Sequence, residues 1–278
     1  MTIKIDTISE TNWNKFFFKA EYSNITQDWS FGEFKTKSAS PLKADRMSVK
    51  IDNEIICVFQ ILSKKILFIP LLKFCYINRG PVFVKKIDIL TKRRIFSAIS
   101  KKYSFFNCKI LFINPFIFND IKHRKILKFS GFVQFKNKIY TTIFIHFKDE
   151  LEQLRLNLKP KWRNQLVQAE KKQVKIILDI DLKYKSLIIE KNNSMMKIKN
   201  YKGLSSDDLN QLFNEFGKNK KIFNFIALSP ENNEPIAYTS FLSFSNKAVY
   251  LLGWVDLNGR KFNPSNLLLW TAISHFKN

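Results

Sequence analysis

The sequence predicts an α/β chain of two units, each a sheet with helices. Three observations carry the prediction. Strand-length runs rich in Ile, Val and Phe alternate with segments whose apolar residues recur at helical spacing. The order of these signals repeats: in each half, helices lead into hairpin-joined strands and then into a further helix. Near the middle, KPKWRNQLVQAEKKQV (Lys159–Val174) opens a fresh run of helix signals after a β-rich half. The boundary is therefore expected at 148/149, with a first unit over 1–148 and a second over 149–278.

Residues 11–20 read as a helix burying Trp13, Phe16 and Phe17. ITQDWSFGEFKTK then mixes aromatics, Gly32 and two lysines, which suits a helix or turn lining a cleft. Met47–Asp52 and Ile55–Ser63 read as strands joined by a tight hairpin at Asp52-Asn53-Glu54. Ile66–Ile69 and Phe74–Ile77 continue the β signal, Arg79-Gly80-Pro81 punctuates it, and Val82–Val84 resumes it. Asp88–Phe105 reads as a helix and Lys109–Ile113 as a short buried strand. Asn119 or Asp120 can cap a helix to about Phe129, closed by Gly131. Phe132–Phe135 and Ile139–Phe147 read as strands.

In the second half Asp149 suits the cap of a helix through Leu158. Lys159–Val174 follows, with Pro160 in the first turn, where a missing N–H costs nothing, and Trp162, Leu166 and Ala169 on one face. Two readings of its basic residues stand. It is a connecting helix with a solvated face, or a helix joining two units beside an anionic substrate. Val174–Asp179 is a strand, Leu182–Tyr201 a helix, and Ser205–Asp208 cap a helix through Phe216. Strands at Ile222–Leu228, Pro235–Phe244 and Ala248–Val255, a loop at Asn258-Gly259 and a helix over Asn263–Phe276 complete the chain. No strand follows that last helix, whereas the first half continues through Lys109–Phe147, so the second unit is expected to be incomplete.

The formal net charge of +24 over 278 residues favours anionic partners: nucleic acid, phosphorylated small molecules or an anionic membrane surface. An AT-rich coding sequence also enriches Lys, Asn, Ile and Phe, so charge alone names no partner. With 7 glycines, a phosphate loop built from several glycines is not expected. Cys57, Cys75 and Cys108 form neither a disulfide framework nor a CxxC pair, and are expected reduced and mostly buried. His123, His146 and His275 are dispersed, and no metal-site spacing occurs. Alternation in TTIFIHF puts His146 with Thr142 and Phe144 on one strand face. MTIKIDTISE lacks the apolar core of a signal peptide, and Ile66–Ile77 is short and broken by Pro70 and Lys73, unlike a membrane span. The expected location is cytoplasmic, at most peripheral at the inner membrane face.

Several stretches, in order, carry a family resemblance: QDWSFGEFK, YINRGPVF, ILFINP, SGFVQF, YTTIFIHF, LKPKWRNQLVQAEKKQVKI, MMKIKNYKGLS and YLLGWVDLNGRKFNPSNLLLWTAI. Together they resemble the Fem family of peptidyl-bridge aminoacyltransferases over nearly the whole chain. The resemblance implies tandem GNAT-like (acetyltransferase-like) domains with mixed sheets. It also implies that an amino acid moves from aminoacyl-tRNA to an amine of a peptidoglycan precursor, either UDP-linked or lipid-linked. Aminoacyl-tRNA is then a co-substrate, and no separate cofactor, metal or DNA partner is expected. Family members continue past the Leu-Leu-Trp helix into a strand with an Asp-Leu-Gly-Gly-type element, which this sequence does not reach. The paired-helix arm of some members is also missing from it.

Carried over by position, Lys35 matches a lysine associated with the precursor diphosphate, and Lys197 or Lys199 a second basic position. Tyr76 and Arg79 belong to the Arg-Gly-Pro element, Arg163 to the KWRN helix, and Tyr201 is a cleft-lining candidate. A structural role stands beside each: solvated lysines, an arginine serving a turn, a helix-end aromatic in the core. No catalytic residue is assigned; an amino acid esterified to tRNA is already activated, so the resemblance implies no covalent enzyme intermediate. The enzyme has to hold the amine near the carbonyl, stabilise an oxyanion and remove a proton. Two other classes compete. One is a GNAT-like N-acyltransferase with a thioester donor, acting on a surface sugar or lipid. No two glycines lie one residue apart, which counts against an acetyl-CoA pyrophosphate loop. The other is a non-catalytic RNA- or membrane-surface-binding protein, which the charge supports.

Overall fold

The computed structural model describes residues 2–135 and 142–277. The chain divides into two compact units, Met1–Lys138 with Phe244–Asn246, and Ile139–Ser243 with Lys247–Asn278.

The first unit is built on six strands: β1 (Ile3–Thr7), β2 (Lys43–Ile51), β3 (Glu54–Ile66), β4 (Ile69–Asn78), β5 (Val82–Phe83) and β6 (Lys109–Asn114). The order is β1-β2-β3-β4-β6, with β5 on β3. Asp52 and Asn53 take φ of 48° and 70° and form a two-residue turn between β2 and β3, the expected tight hairpin with Glu54 already in the strand. That positive-φ pair suits the twist of antiparallel strands, and Asp and Asn tolerate it. The remaining antiparallel pairs are β1–β2, β3–β4 and β3–β5, whereas β4 and β6 run parallel. The crossover between β4 and β6 contains α3 (Ile89–Lys102), started by Asp88, whose carboxylate accepts from Leu90 N and Thr91 N. α3 buries Ile95, Phe96 and Ile99, and two of these, Ile95 and Ile99, join Val49, Phe59, Cys75 and Ile77 in one core. α1 (Glu10–Lys19) is capped by Ser9 and buries Trp13 and Phe17, with Phe16 half-buried. α2 (Trp29–Lys37) is capped by Asp28, and α4 (Ile121–Phe129) by Asp120, with Gly131 at φ +88° just past its end.

The second unit has β7 (Lys175–Asp179), β8 (Ile222–Leu228), β9 (Pro235–Phe244) and β10 (Lys247–Val255) in the order β10-β9-β8-β7. The β7–β8 and β8–β9 pairs are antiparallel. Its helices are α5 (Leu151–Leu156), α6 (Pro160–Lys171), α7 (Lys185–Ile198), α8 (Ser206–Gly217) and α9 (Pro264–Lys277). In α6, Pro160 is at the first turn, Leu166 and Ala169 are buried, and Trp162 is half-buried. Leu268 and Ala272 of α9 pack with Phe225, Ala227 and Ala237 of the sheet. No helix among the described residues is long and apolar enough to cross a membrane.

One strand goes beyond the sequence expectations, and three local expectations change. Ile3–Thr7 is a strand, pairing antiparallel with β2. Phe132–Phe135 forms no strand, and neither do residues 142–147; positions 139–141 lie outside the described residues. Val133 and Ile143 are exposed there, so alternation without an available strand edge builds no ladder. His146 still stacks on Phe144, at 6.2 Å between centroids. β6 is half-buried because it ends the strand order and covers the core with one face only. α5 starts after Glu150 without a side-chain cap, in place of a cap by Asp149.

Candidate functional site

The site in the first unit is marked by polar residues that close apolar strands. In the parallel pair, Tyr76 is level with Phe112 and Asn78 with Asn114. Alternation sends Cys75, Ile77, Leu111 and Ile113 into the core. The opposite face carries Phe74, Tyr76 and Asn78 beside Phe112 and Asn114. Phe74 and Phe112 stack at 4.8 Å. At the carboxyl ends, the Asn78 Oδ1 accepts from Tyr76 Oη at 3.0 Å and from Asn114 Nδ2 at 3.3 Å. An aromatic surface thus ends in a polar cluster outside the carboxyl ends of parallel strands, the usual ligand position in open α/β sheets.

Gln27 ties this cluster together. It sits in a 3-10 turn (Ile25–Gln27) and is 1% exposed. Its Nε2 donates to Asn78 O at 2.7 Å and Gln60 O at 3.2 Å, and its Oε1 accepts from Gln60 N at 2.7 Å. Along its outer edge β3 pairs with β5 at Cys57 and Val58 and with β4 from Leu62 onward. The Gln27 carboxamide fills the gap at Gln60 as a neighbouring peptide group would. Thr26 Oγ1 adds a second donor to Asn78 O at 3.0 Å. The next residue, Arg79, has φ 58°, and its N–H donates to Asn114 O at 2.6 Å. Its guanidinium lies 6.0 Å from the Phe116 ring centroid. The Gly80-Pro81 bond is cis. A Cβ on Gly80 would come within 2.8 Å of Gln27 Oε1, so this position needs glycine for close approach.

The helix after Gln27 docks through a second close approach. A Cβ on Gly32 would overlap Gln60 Oε1 and Arg46 Nη2. Arg46 Nη2 pairs with Glu33 at 2.7 Å and donates to Trp29 O at 3.2 Å, and its guanidinium stacks 4.2 Å from the Trp29 ring. This clamp holds α2 on β2. Lys35, on the same helix, is half-buried with its ammonium 4.7 Å from the Phe34 centroid and 5.9 Å from that of Phe31.

The second-unit candidates are placed differently from one another. Arg163 Nη1 donates to Leu156 O at 3.0 Å and so fastens α6 to the end of α5. Lys197 and Lys199 are exposed at the end of α7. Tyr201, also exposed, lies close enough to Tyr238 and Tyr250 to act on their ionisation. Burial first, then the Tyr250 and Tyr201 phenols, holds the Tyr238 hydroxyl protonated well above its usual range. That hydroxyl donates to Ile188 O at 3.1 Å, and the ring stacks on Trp254 at 6.0 Å. Lys191 lies 5.4 Å from the Trp254 centroid.

Of the predicted residues, Tyr76 and Arg79 meet in one cluster, and its centre is Gln27, Asn78 and Asn114. The sequence alone does not single out those three, although they lie inside QDWSFGEFK, YINRGPVF and ILFINP. The available signal was an asparagine ending each of two apolar runs. Burial raises the Cys57 and Cys75 thiols, so neither is a ready nucleophile. Two of the three thiols are buried, in line with the expectation, and Cys108 is exposed. No group of metal-ligating side chains occurs among the described residues.

No protein-family model and no curated protein matches the sequence. Solved structures do match. The crystal structure of FemX aligns with a TM-score of 0.81 at 14% identity, over 99% of this chain and 86% of FemX. The chain has the FemX fold. A conserved protein of unknown function from Bacteroides thetaiotaomicron aligns over 99% of this chain and 86% of its own, with a TM-score of 0.55 and 11% identity. At these identities the likeness to FemX establishes the fold alone, and the two-unit α/β architecture expected from the sequence holds.

Proposed function

We propose that this protein is an acyltransferase that moves an aminoacyl group from aminoacyl-tRNA to an amine of a peptidoglycan precursor. One observation supports this most. In a chain with the FemX fold, three segments far apart in sequence converge on one polar cluster at the carboxyl ends of β4 and β6. In the reaction the amine nitrogen attacks the ester carbonyl carbon. The resulting tetrahedral intermediate expels the ribose oxygen, which takes up the proton lost by the amine. The protein's part is to hold two anionic substrates in register. Arg79 offers a planar cation suited to phosphate or carboxylate. Tyr76, Asn78 and Asn114 offer hydrogen-bonding groups at the end of an aromatic surface. Lys35, Lys197, Lys199 and Tyr201 are proposed as further substrate contacts, and Arg163 as the residue that positions α6. The net charge of +24 suits a tRNA backbone.

The test is to incubate the protein with charged tRNA and a muramyl-pentapeptide precursor and seek the amide product by mass spectrometry. Arg79→Lys is expected to lower kcat/KM at least tenfold without changing the melting temperature. Product formed only from thioester donors would sink the proposal. Tight tRNA binding with no product would favour a binding protein instead.

A further inference from the structure

At the opposite end of β4 from Asn78, the first unit exposes apolar residues that do nothing for its fold. β3 and β4 are joined by a two-residue turn, Leu67-Phe68, with Ile66 paired to Ile69. Turns of this length favour Gly, Asn and Asp, as at Asp52-Asn53 in the same sheet. Here Leu67 is 83% and Phe68 89% exposed, and Leu71 beside them is 80% exposed. A second apolar turn lies at the same end. Lys73 pairs with Lys109 at the start of the parallel ladder, and the 3-10 turn Phe105–Asn107 leads directly into it. Phe105 is 71% and Phe106 98% exposed. Single exposed apolar residues are ordinary, but four large ones on two turns at the same end of the strands, with Leu71 as a fifth on β4, are not.

The charge around these turns identifies the partner. Lys64, Lys65 and Lys101 are exposed and Lys73 half-buried beside the two turns. From Ile55 to Asn119 the sequence holds twelve lysines and arginines and a single acid, Asp88. An apolar tip inside a ring of lysines matches the layering of an anionic bilayer, with acyl chains beneath phosphate headgroups. Lysine stems lie along apolar surface while their ammonium groups reach the phosphates.

We propose that the Leu67-Phe68 and Phe105-Phe106 turns insert into the headgroup layer of a membrane rich in anionic phospholipid, with the surrounding lysines on its phosphates. At about 3.4 Å per residue, Asn78 stands roughly 17 Å along β4 from Lys73, so the polar cluster stays clear of the bilayer. The inference does not rest on the acyl-transfer reading.

Vesicle sedimentation tests it, using the full chain with phosphatidylcholine alone and with about one-third phosphatidylglycerol. Binding is expected only to the anionic vesicles. The combined variant L67S/F68S/F105S/F106S is expected to weaken it at least tenfold with an unchanged far-UV circular dichroism spectrum. K64Q/K65Q is expected to reduce its salt dependence. In a Phe68→Trp variant, brominated lipids are expected to quench the added tryptophan. The proposal is overturned if the wild-type chain ignores anionic vesicles at physiological salt. It also falls if the fourfold variant binds them as well as wild type. Self-association that L67S/F68S abolishes, without any vesicle binding, would assign the tip to a second copy of the chain instead.

Discussion

Replacing Gln27 should loosen the polar cluster without emptying the core beside it. In Gln27→Leu the side-chain volume is nearly kept, but Gln60 N and Gln60 O both lose the partner that Gln27 supplies. Asn78 O keeps Thr26 Oγ1. A buried peptide group left unmatched costs about 1–3 kcal/mol, so the two together predict a loss of about 2–6 kcal/mol. Gln27→Glu sharpens the test. A carboxylate there faces the Asn78 and Gln60 carbonyl oxygens, at the positions where Nε2 donates at 2.7 and 3.2 Å. The folded-state pKa of the introduced carboxyl must then rise above the ordinary glutamate value. With a raised pKa the folded state holds the proton longer than the unfolded state, so stability is greatest below the unfolded pKa. It falls as the pH climbs through the folded one. Urea melts followed by tryptophan fluorescence at about pH 5 and about pH 8 measure this. Hydrogen exchange at the Gln60 amide reports the same bond locally. A Gln27→Glu protein equally stable at both pH values, with the Gln60 amide still protected, would refute the reasoning.

Other substitutions test neighbouring contacts. Gly32→Ala should cost about 1–3 kcal/mol, because its methyl group meets the Gln60 amide and the Arg46 guanidinium; thermal melting checks it. The Asp88 carboxyl is held below its usual range, first by the Thr91 hydroxyl and then by backbone N–H groups. Its contribution to stability is therefore complete at neutral pH and is lost as the pH falls through that lowered pKa. Asp88→Asn, an equally good cap, should flatten this acid limb in melts across pH. Tyr238→Phe should cost about 1 kcal/mol by deleting the bond to Ile188 O while keeping the stack on Trp254, as denaturant melts would show.

Local chemistry made much of the fold legible. Asp52-Asn53 announced a hairpin, Asp88, Asp120 and Ser205 announced helix starts, and Pro160 opened α6. Each of these signals acts within a few residues. The failures depended on partners far away in sequence. Ile3–Thr7 becomes a strand only because β2, some forty residues later, offers an edge. Phe132–Phe135 has the composition of a strand but no ladder. The parallel pairing of β4 with β6 depends on a crossover that no local pattern reveals. The candidate site divides the same way. Tyr76 and Arg79 were readable from a motif, whereas the bridge from Gln27 to Gln60 spans 33 residues and exists only after β3 has formed.

The pairing of β4 with β6 also governs how the polar cluster can change. Asn78 and Asn114 stand level because Cys75, Ile77, Leu111 and Ile113 fill the other side of the same two strands. A slip of one residue would drive an asparagine into the core and expose an isoleucine. The alignment of the polar groups is thus inherited from apolar side chains that no substrate at the cluster would touch. Substitutions at Ile77 or Ile113 would act on the cluster from behind the sheet. Half-buried positions such as Phe116, in the segment after β6, could vary and retune what docks there while the asparagines stay in line.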